Sequence, residues 1–249
     1  MLIAPQIFKC GSEDYLSLSP ELFTLPHNTH MTKSALLIID LQNDFLEGGS
    51  LAVPDGNEII DPIIELAQKK DWDLVIATKD WHPQDHTSFA SNHGVKPYTE
   101  LEFTSPENEA EKKIQMVWPD HCVQNSNGSE FPPKFKAFWE QFKGPKELVK
   151  KGYLSDREYY SAFSDVWKLH KTELDSLLKE HGIRNVTIVG LALDFCVFHT
   201  ASDALRENYS VTLVTNLTRS VADREGPPSK LQALGAHLAE YNGSEIIIK

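Results

Sequence analysis

The sequence predicts an α/β protein, three layers (α/β/α) built around a mostly parallel central sheet. Three observations predict it. The runs ALLII (35–39), LVIAT (74–78) and VTIV (186–189) are short, apolar and bounded by polar residues, as expected for strands buried on both faces. Segments with apolar residues at helical spacing alternate with them. Several runs end directly in a charged or nucleophilic residue, and open parallel sheets bind ligands beyond the carboxyl ends of their strands.

Taken in order, residues 1–33 carry scattered Pro, Ser and Asn without periodicity and are expected to be an N-terminal extension. A single domain is expected over 34–249. Ala35–Ile39 is the first strand, ending at Asp40. Residues 61–70 read as a helix with Ile63, Ile64 and Ala67 on one face, and Leu74–Thr78 as the second strand. Polar residues 92–115, with two prolines and several Glu, read as a long surface loop. Residues 134–142 are predicted helical and 147–150 a short strand. A long amphipathic helix is predicted over 165–181, stopped by Gly182. Then come a strand at 186–189, a turn at 190–194, a helix over 196–207, a strand at 211–214, a helix over 228–238 and a last strand at 245–248.

Composition narrows the function classes. The chain has 249 residues, 24 Lys and Arg against 36 Asp and Glu, and a formal net charge of −12. Such acidity argues against nucleic acid or an anionic membrane as partner. It leaves a homo-oligomer open. The longest aliphatic run falls far short of a bilayer span. The first residues lack the basic and apolar regions of a signal peptide. Three cysteines, Cys10, Cys122 and Cys196, make no disulfide framework. The expected location is intracellular, cytoplasmic with nucleus and peroxisome left open, although the terminal Ile-Ile-Lys is no peroxisomal tripeptide.

Four strands deliver reactive residues to one sheet edge. Asp40 follows the first; Asp80 and His82 follow the second; Lys151 follows the third; Cys196 follows the fourth after a short turn. One such residue is what any polar loop would supply, whereas four together point to a site. Cys196 stands where a helix begins, with Asp194 as the expected N-cap, and a helix N-terminus favours thiolate over thiol. Cys10 and Cys122 read as inert small hydrophobes. Asp80 and His82, with His121 as a third donor, offer oxygen and nitrogen ligands that suit Zn²⁺, Mn²⁺ or Fe²⁺ and leave coordination positions open.

Five ordered segments then identify a resemblance: ALLIIDLQNDF (35–45), ATKDWHPQDHTSFASNH (77–93), VWPDHCVQN (117–125), KKGYLSDREYYSAFSD (150–165) and VGLALDFCV (189–197). They resemble nicotinamidases of the cysteine-hydrolase, isochorismatase-like superfamily, of the eukaryotic fungal type. The resemblance covers about residues 34–249 and implies an isochorismatase-like hydrolase fold. It implies a catalytic triad of Asp40, Lys151 and Cys196. It implies metal ligands Asp80, His82 and His121 around one divalent ion, zinc foremost. Phe45 and Trp118 would wall the nicotinamide pocket, with His86 and Ser88 beside the metal ligands. A cis peptide at Leu191–Ala192 is implied too, with the backbone N–H groups of Ala192 and Cys196 forming an oxyanion hole. The implied reaction is hydrolysis of nicotinamide to nicotinic acid and ammonia through a cysteine thioester, in NAD salvage. The alternative is a relative acting on another small amide. Asp120, inside WPDHC, is an additional carboxylate next to a metal ligand.

Overall fold

The computed structural model describes residues 32–249. The expected extension therefore lies outside the described residues except for Thr32 and Lys33, and Lys33 already opens the first strand, β1 (Lys33–Ile39). The other strands of the main sheet are β2 (Leu74–Asp80), β5 (Lys146–Lys151), β6 (Ile183–Leu191), β7 (Ser210–Arg219), β8 (His237–Tyr241) and β9 (Ile246–Ile248). The spatial order is β5-β2-β1-β6-β7-β8-β9, and every pairing is parallel except β8 with β9. Strand order reverses on the two sides of β1, with β2 and β5 to one side and β6 onward to the other. That reversal opens a crevice at the carboxyl ends of β1, β2 and β6.

Alternation within β1 divides the core into two layers. Leu36 and Ile38 pack with Ile63 and Leu66 of α1 (Ile60–Lys69) and Phe135 of α2 (Pro133–Gln141). Ala35, Leu37 and Ile39 pack on the opposite face. Their partners there are α3 (Leu174–Glu180), α4 (Phe198–Arg206) and α5 (Gly226–Ala233), through Leu178, Ala201 and Leu231. Each strand side chain thus has a helix to meet, which explains why the runs carry no polar alternation.

Three expectations are corrected. Residues 92–115 are not a loop throughout: β3 (Thr99–Ser105) and β4 (Asn108–Val117) form a separate antiparallel hairpin. Leu101 and Phe103 alternate with exposed Glu100 and Glu102, but the charge around them hides the period. The long helix over 165–181 shrinks to α3. Upstream, the Asp165 carboxylate accepts the N–H groups of Trp167 (2.7 Å) and His170 (2.5 Å), and Lys168 takes a left-handed φ of 64°. These local bonds outcompete the helical ladder. The helix over 228–238 ends at Ala233, because Gly235 turns left-handed (φ 105°) and the chain enters β8 beside β7.

Candidate active site

The sheet places the ends of β1, β2 and β5 side by side. Asp80 pairs in register with Lys151, and Asp40 lies just past the end of β1. Gln42 locks this corner. Its side-chain amide donates to the carbonyls of Asp80 (2.8 Å) and Ser129 (3.0 Å) and accepts the Asp80 N–H (2.8 Å). Asp40 itself adopts a left-handed φ of 45°, held by Thr78, whose hydroxyl donates to Oδ1 at 2.6 Å and accepts the Asp40 N–H. A non-glycine residue in that region stores strain that its surroundings must offset.

Lys151 is the hub. Its ammonium lies 2.9 Å from Asp40 Oδ2, 2.5 Å from Asp80 Oδ1 and 3.3 Å from Cys196 Sγ, and donates to the Tyr159 carbonyl at 3.0 Å. Lys151 and Asp40 are both 0% exposed. Burial alone would discharge the lysine, but the two carboxylates outweigh it and hold its pKa well above the ordinary value. Burial raises the Asp40 carboxyl, with Lys151 opposing and Asp80 reinforcing. Asp80 resists its burial because Lys151 and His82 keep it ionised, well below the usual carboxylate range.

Cys196 departs from expectation in one respect. It lies within a π turn (Leu193–Val197) that leads into α4, and the turn begins at Ala192 without a side-chain cap. Burial, joined by Asp40 and Asp80, pushes the thiol well above its ordinary pKa despite Lys151. That shift favours the neutral thiol and opposes the pull toward thiolate expected of a helix N-terminus. Asp194 is not the N-cap: it accepts backbone N–H groups from 221–223. The Leu191–Ala192 peptide is cis. Cys122 is buried, with its thiol also pushed up by burial, and Cys10 lies outside the described residues.

A second cluster adjoins the first through Asp80. Ligand atoms of Asp80, His82 and His121 all lie within 4.8 Å of one another. Nδ1 of His82 donates to the Gly152 carbonyl (2.9 Å) and Nδ1 of His121 to that of Pro119 (2.8 Å). Each ring thus turns its Nε2 inward, at 3.6 and 3.9 Å from Asp80 Oδ2. His82 Nε2 is buried without a hydrogen-bond partner, and burial with His82 nearby holds the His121 pKa down at about 4. Burial opposes charge on His82, but Asp80 outweighs it and raises the pKa, so a divalent metal would displace that proton; two imidazoles and one carboxylate are a donor set that fits one. The group Asp40, Asp80 and Cys196 is equally tight, but the Lys151 ammonium already contacts all three.

Local packing explains why these ligands converge. His82 pairs with the segment after His121 (His82 N–H to the Cys122 carbonyl, 3.1 Å), and the Asp44 carboxylate accepts the Cys122 N–H at 2.7 Å. Gly152 is left-handed (φ 71°), and a Cβ there would fall 2.3 Å from His82 Cε1. His86 stacks on His82 at 4.1 Å between ring centres and bonds Ser88 Oγ and the Arg157 carbonyl, so neither of its nitrogens is free. Asp120 turns aside to Gln84 and Ser91.

One pocket opens onto Cys196, Asp80 and His121. Phe45 and Trp118 line it. So do Leu51, Glu158, Tyr160, Phe195 and Val221, none of which polarity or spacing singled out. Glu158 and Tyr160 lie inside the segment 150–165, but only the chain's course beyond β5 shows that they face the cavity. The Trp118 indole donates to Tyr160 Oη (3.2 Å), and Phe195 meets Trp118 edge-on at 4.7 Å.

Comparison with known proteins places the chain in a family. The Isochorismatase domain family model matches residues 34–234. The nicotinamidase of Saccharomyces cerevisiae is 41% identical over 195 residues, 76% of this chain and 88% of that protein. The crystal structure of the yeast nicotinamidase bound to the inhibitor nicotinaldehyde superposes with a TM-score of 0.79 at 36% identity, covering 84% of this chain and 100% of that one. A pyrazinamidase of Pyrococcus horikoshii in complex with zinc gives a TM-score of 0.64 at 29% identity, covering 84% and 99%. This chain belongs to the isochorismatase-domain family, and nicotinamidases are among its relatives there.

Proposed function

We propose that the protein hydrolyses nicotinamide to nicotinic acid and ammonia, as a step in NAD salvage, through a thioester on Cys196. Family membership makes it a hydrolase acting on an amide bond. The observation that carries the finer reading is the Lys151 ammonium between Asp40 and Cys196, opening on an aromatic pocket beside three metal-ligand side chains.

An amide carbonyl is a poor electrophile, so two easier steps replace one hard one. Asp40 accepts the Cys196 proton as the sulfur attacks the carboxamide carbon, and Lys151 stabilises the developing anionic sulfur at 3.3 Å. The raised thiol pKa makes this transfer part of the attack. The N–H groups of Ala192 and Cys196 are assigned to the tetrahedral oxyanion, where losing one donor costs roughly 10²–10³ in rate. Asp40 returns the proton to nitrogen as ammonia leaves, then activates water to cleave the thioester. Phe45 and Trp118 sandwich the ring. Asp80, His82 and His121 would hold one divalent cation, zinc foremost from the donor set, with His86 and Ser88 supporting His82. Bound there, the cation supplies an electrophilic site for the pyridine nitrogen.

Ammonia release from nicotinamide, with benzamide and isochorismate as controls, tests the reading. Turnover of nicotinamide well above both controls is expected. A folded protein with a reactive Cys196 that releases no ammonia from nicotinamide overturns it.

A further inference from the structure

Asp194 has no part in the proposed chemistry, yet its carboxylate gathers three successive backbone donors. Oδ1 accepts the N–H of Val221 at 3.0 Å; Oδ2 accepts those of Ala222 at 2.8 Å and Asp223 at 3.1 Å. Bonds from neutral donors to a carboxylate are among the stronger ones in proteins. The loop so held carries Val221, which lines the pocket and packs against the core cluster of Leu51 and Trp118. Further along, Asp223 Oδ1 accepts the Gly226 N–H (2.9 Å) where α5 begins. The loop's other tie, Arg224 to Asp55 at 2.8 Å, is an exposed ion pair and contributes little. Val221 therefore keeps its place mainly through Asp194, which sits two residues before Cys196 on the same π turn.

We propose that Asp194 is a specificity-determining positioning residue. It ties the loop carrying Val221 to the nucleophile's own turn, and so sets the clearance between Val221 and the Cys196 sulfur. That clearance admits an unsubstituted planar six-membered aromatic amide and excludes ring-substituted ones. The substrate class rests on the proposed amidase reading; the clearance does not. A wall tied to the nucleophile moves with it, so the slot keeps its width when the turn shifts. An apolar pocket rejects an added methyl group by about 10–200-fold, so a displaced wall is visible in substrate preference.

The test compares wild type with Asp194→Ala, Asp194→Asn and Val221→Ala. Steady-state kinetics use nicotinamide and ring-methylated nicotinamides. Separately, Cys196 alkylation is followed by peptide mass with a small reagent (iodoacetamide) and a bulky one (N-phenylmaleimide). Asp194→Ala is expected to raise the nicotinamide KM about tenfold with a smaller change in kcat, and to narrow the preference for unsubstituted over methylated ring by about tenfold. The ratio of bulky to small alkylation rates should rise with it. Asp194→Asn keeps one acceptor and should fall between, and it carries the test if the alanine variant does not fold. Val221→Ala should reproduce the narrowed preference. Wild-type ring preference and alkylation ratio in folded Asp194 variants overturn the proposal, as does a fall in kcat with both unchanged. A wild type inactive on nicotinamide defeats the functional reading alone, since the alkylation ratio still decides this one.

Discussion

The two oxygens of Asp80 face regions built from similar residues with opposite needs. Oδ1 meets Lys151, so the buried carboxylates Asp80 and Asp40 share a cation that the chain supplies itself. Oδ2 faces His82 and His121, whose Nδ1 protons point outward to carbonyls and whose Nε2 atoms turn inward. The first region is given its cation by folding alone. The second is a donor set that a cation from solution would complete. Buried charge is tolerated only when paired, and these regions pair it in the two available ways.

The largest expected effect falls on the proposed nucleophile. Cys196→Ala should lose turnover by at least about 10⁴-fold while still binding nicotinamide, because the pocket walls and ligand set remain. Cys122→Ala should keep most activity. Ammonia release and calorimetric binding check this pair, and turnover surviving in Cys196→Ala would remove the nucleophile assignment.

Next comes the built-in cation. Lys151→Met leaves Asp40 and Asp80 buried without their shared partner and should cost about 3–5 kcal/mol of stability. Denaturant unfolding measures it. A smaller loss on adding divalent metal would show the second region lending its cation to the first; an unchanged stability without metal would break the contrast.

Stripping metal should weaken nicotinamide binding strongly while leaving Cys196 open to iodoacetamide, because the thiol belongs to the lysine-centred region. Gly152→Ala, whose methyl group would strike His82, should lower metal affinity by about 10–100-fold. Metal titration and alkylation rates on matched samples separate the two regions. Full turnover in verified metal-free protein would sink the positioning role.

The smallest effect concerns residues 1–31. A chain beginning at Thr32 retains β1 and everything that carries the site. It should stay soluble, with activity within about tenfold, equivalent to about 1.4 kcal/mol of barrier.

The sequence by itself determined the elements that bury apolar residues on both faces and the reactive residues that end them. ALLII followed by Asp40 and LVIAT followed by Asp80 were readable because a doubly covered strand must be continuously apolar and its exit must be polar. Where charge surrounds the apolar residues, as in β3 and β4, or side chains bond their own backbone, as from Asp165 to His170, local pattern misled. Tertiary structure alone decided three further matters. Lys151 and Cys196, 45 residues apart in sequence, meet at 3.3 Å only because β5 and β6 flank β1 and β2 in the sheet. Burial decided that the Cys196 thiol is pushed above its ordinary pKa, since desolvation depends on what the rest of the chain packs around a residue. Asp194 could have capped its own turn, as its sequence position invites, but the loop after β7 brings three unpaired N–H groups within reach, and the carboxylate bonds those instead.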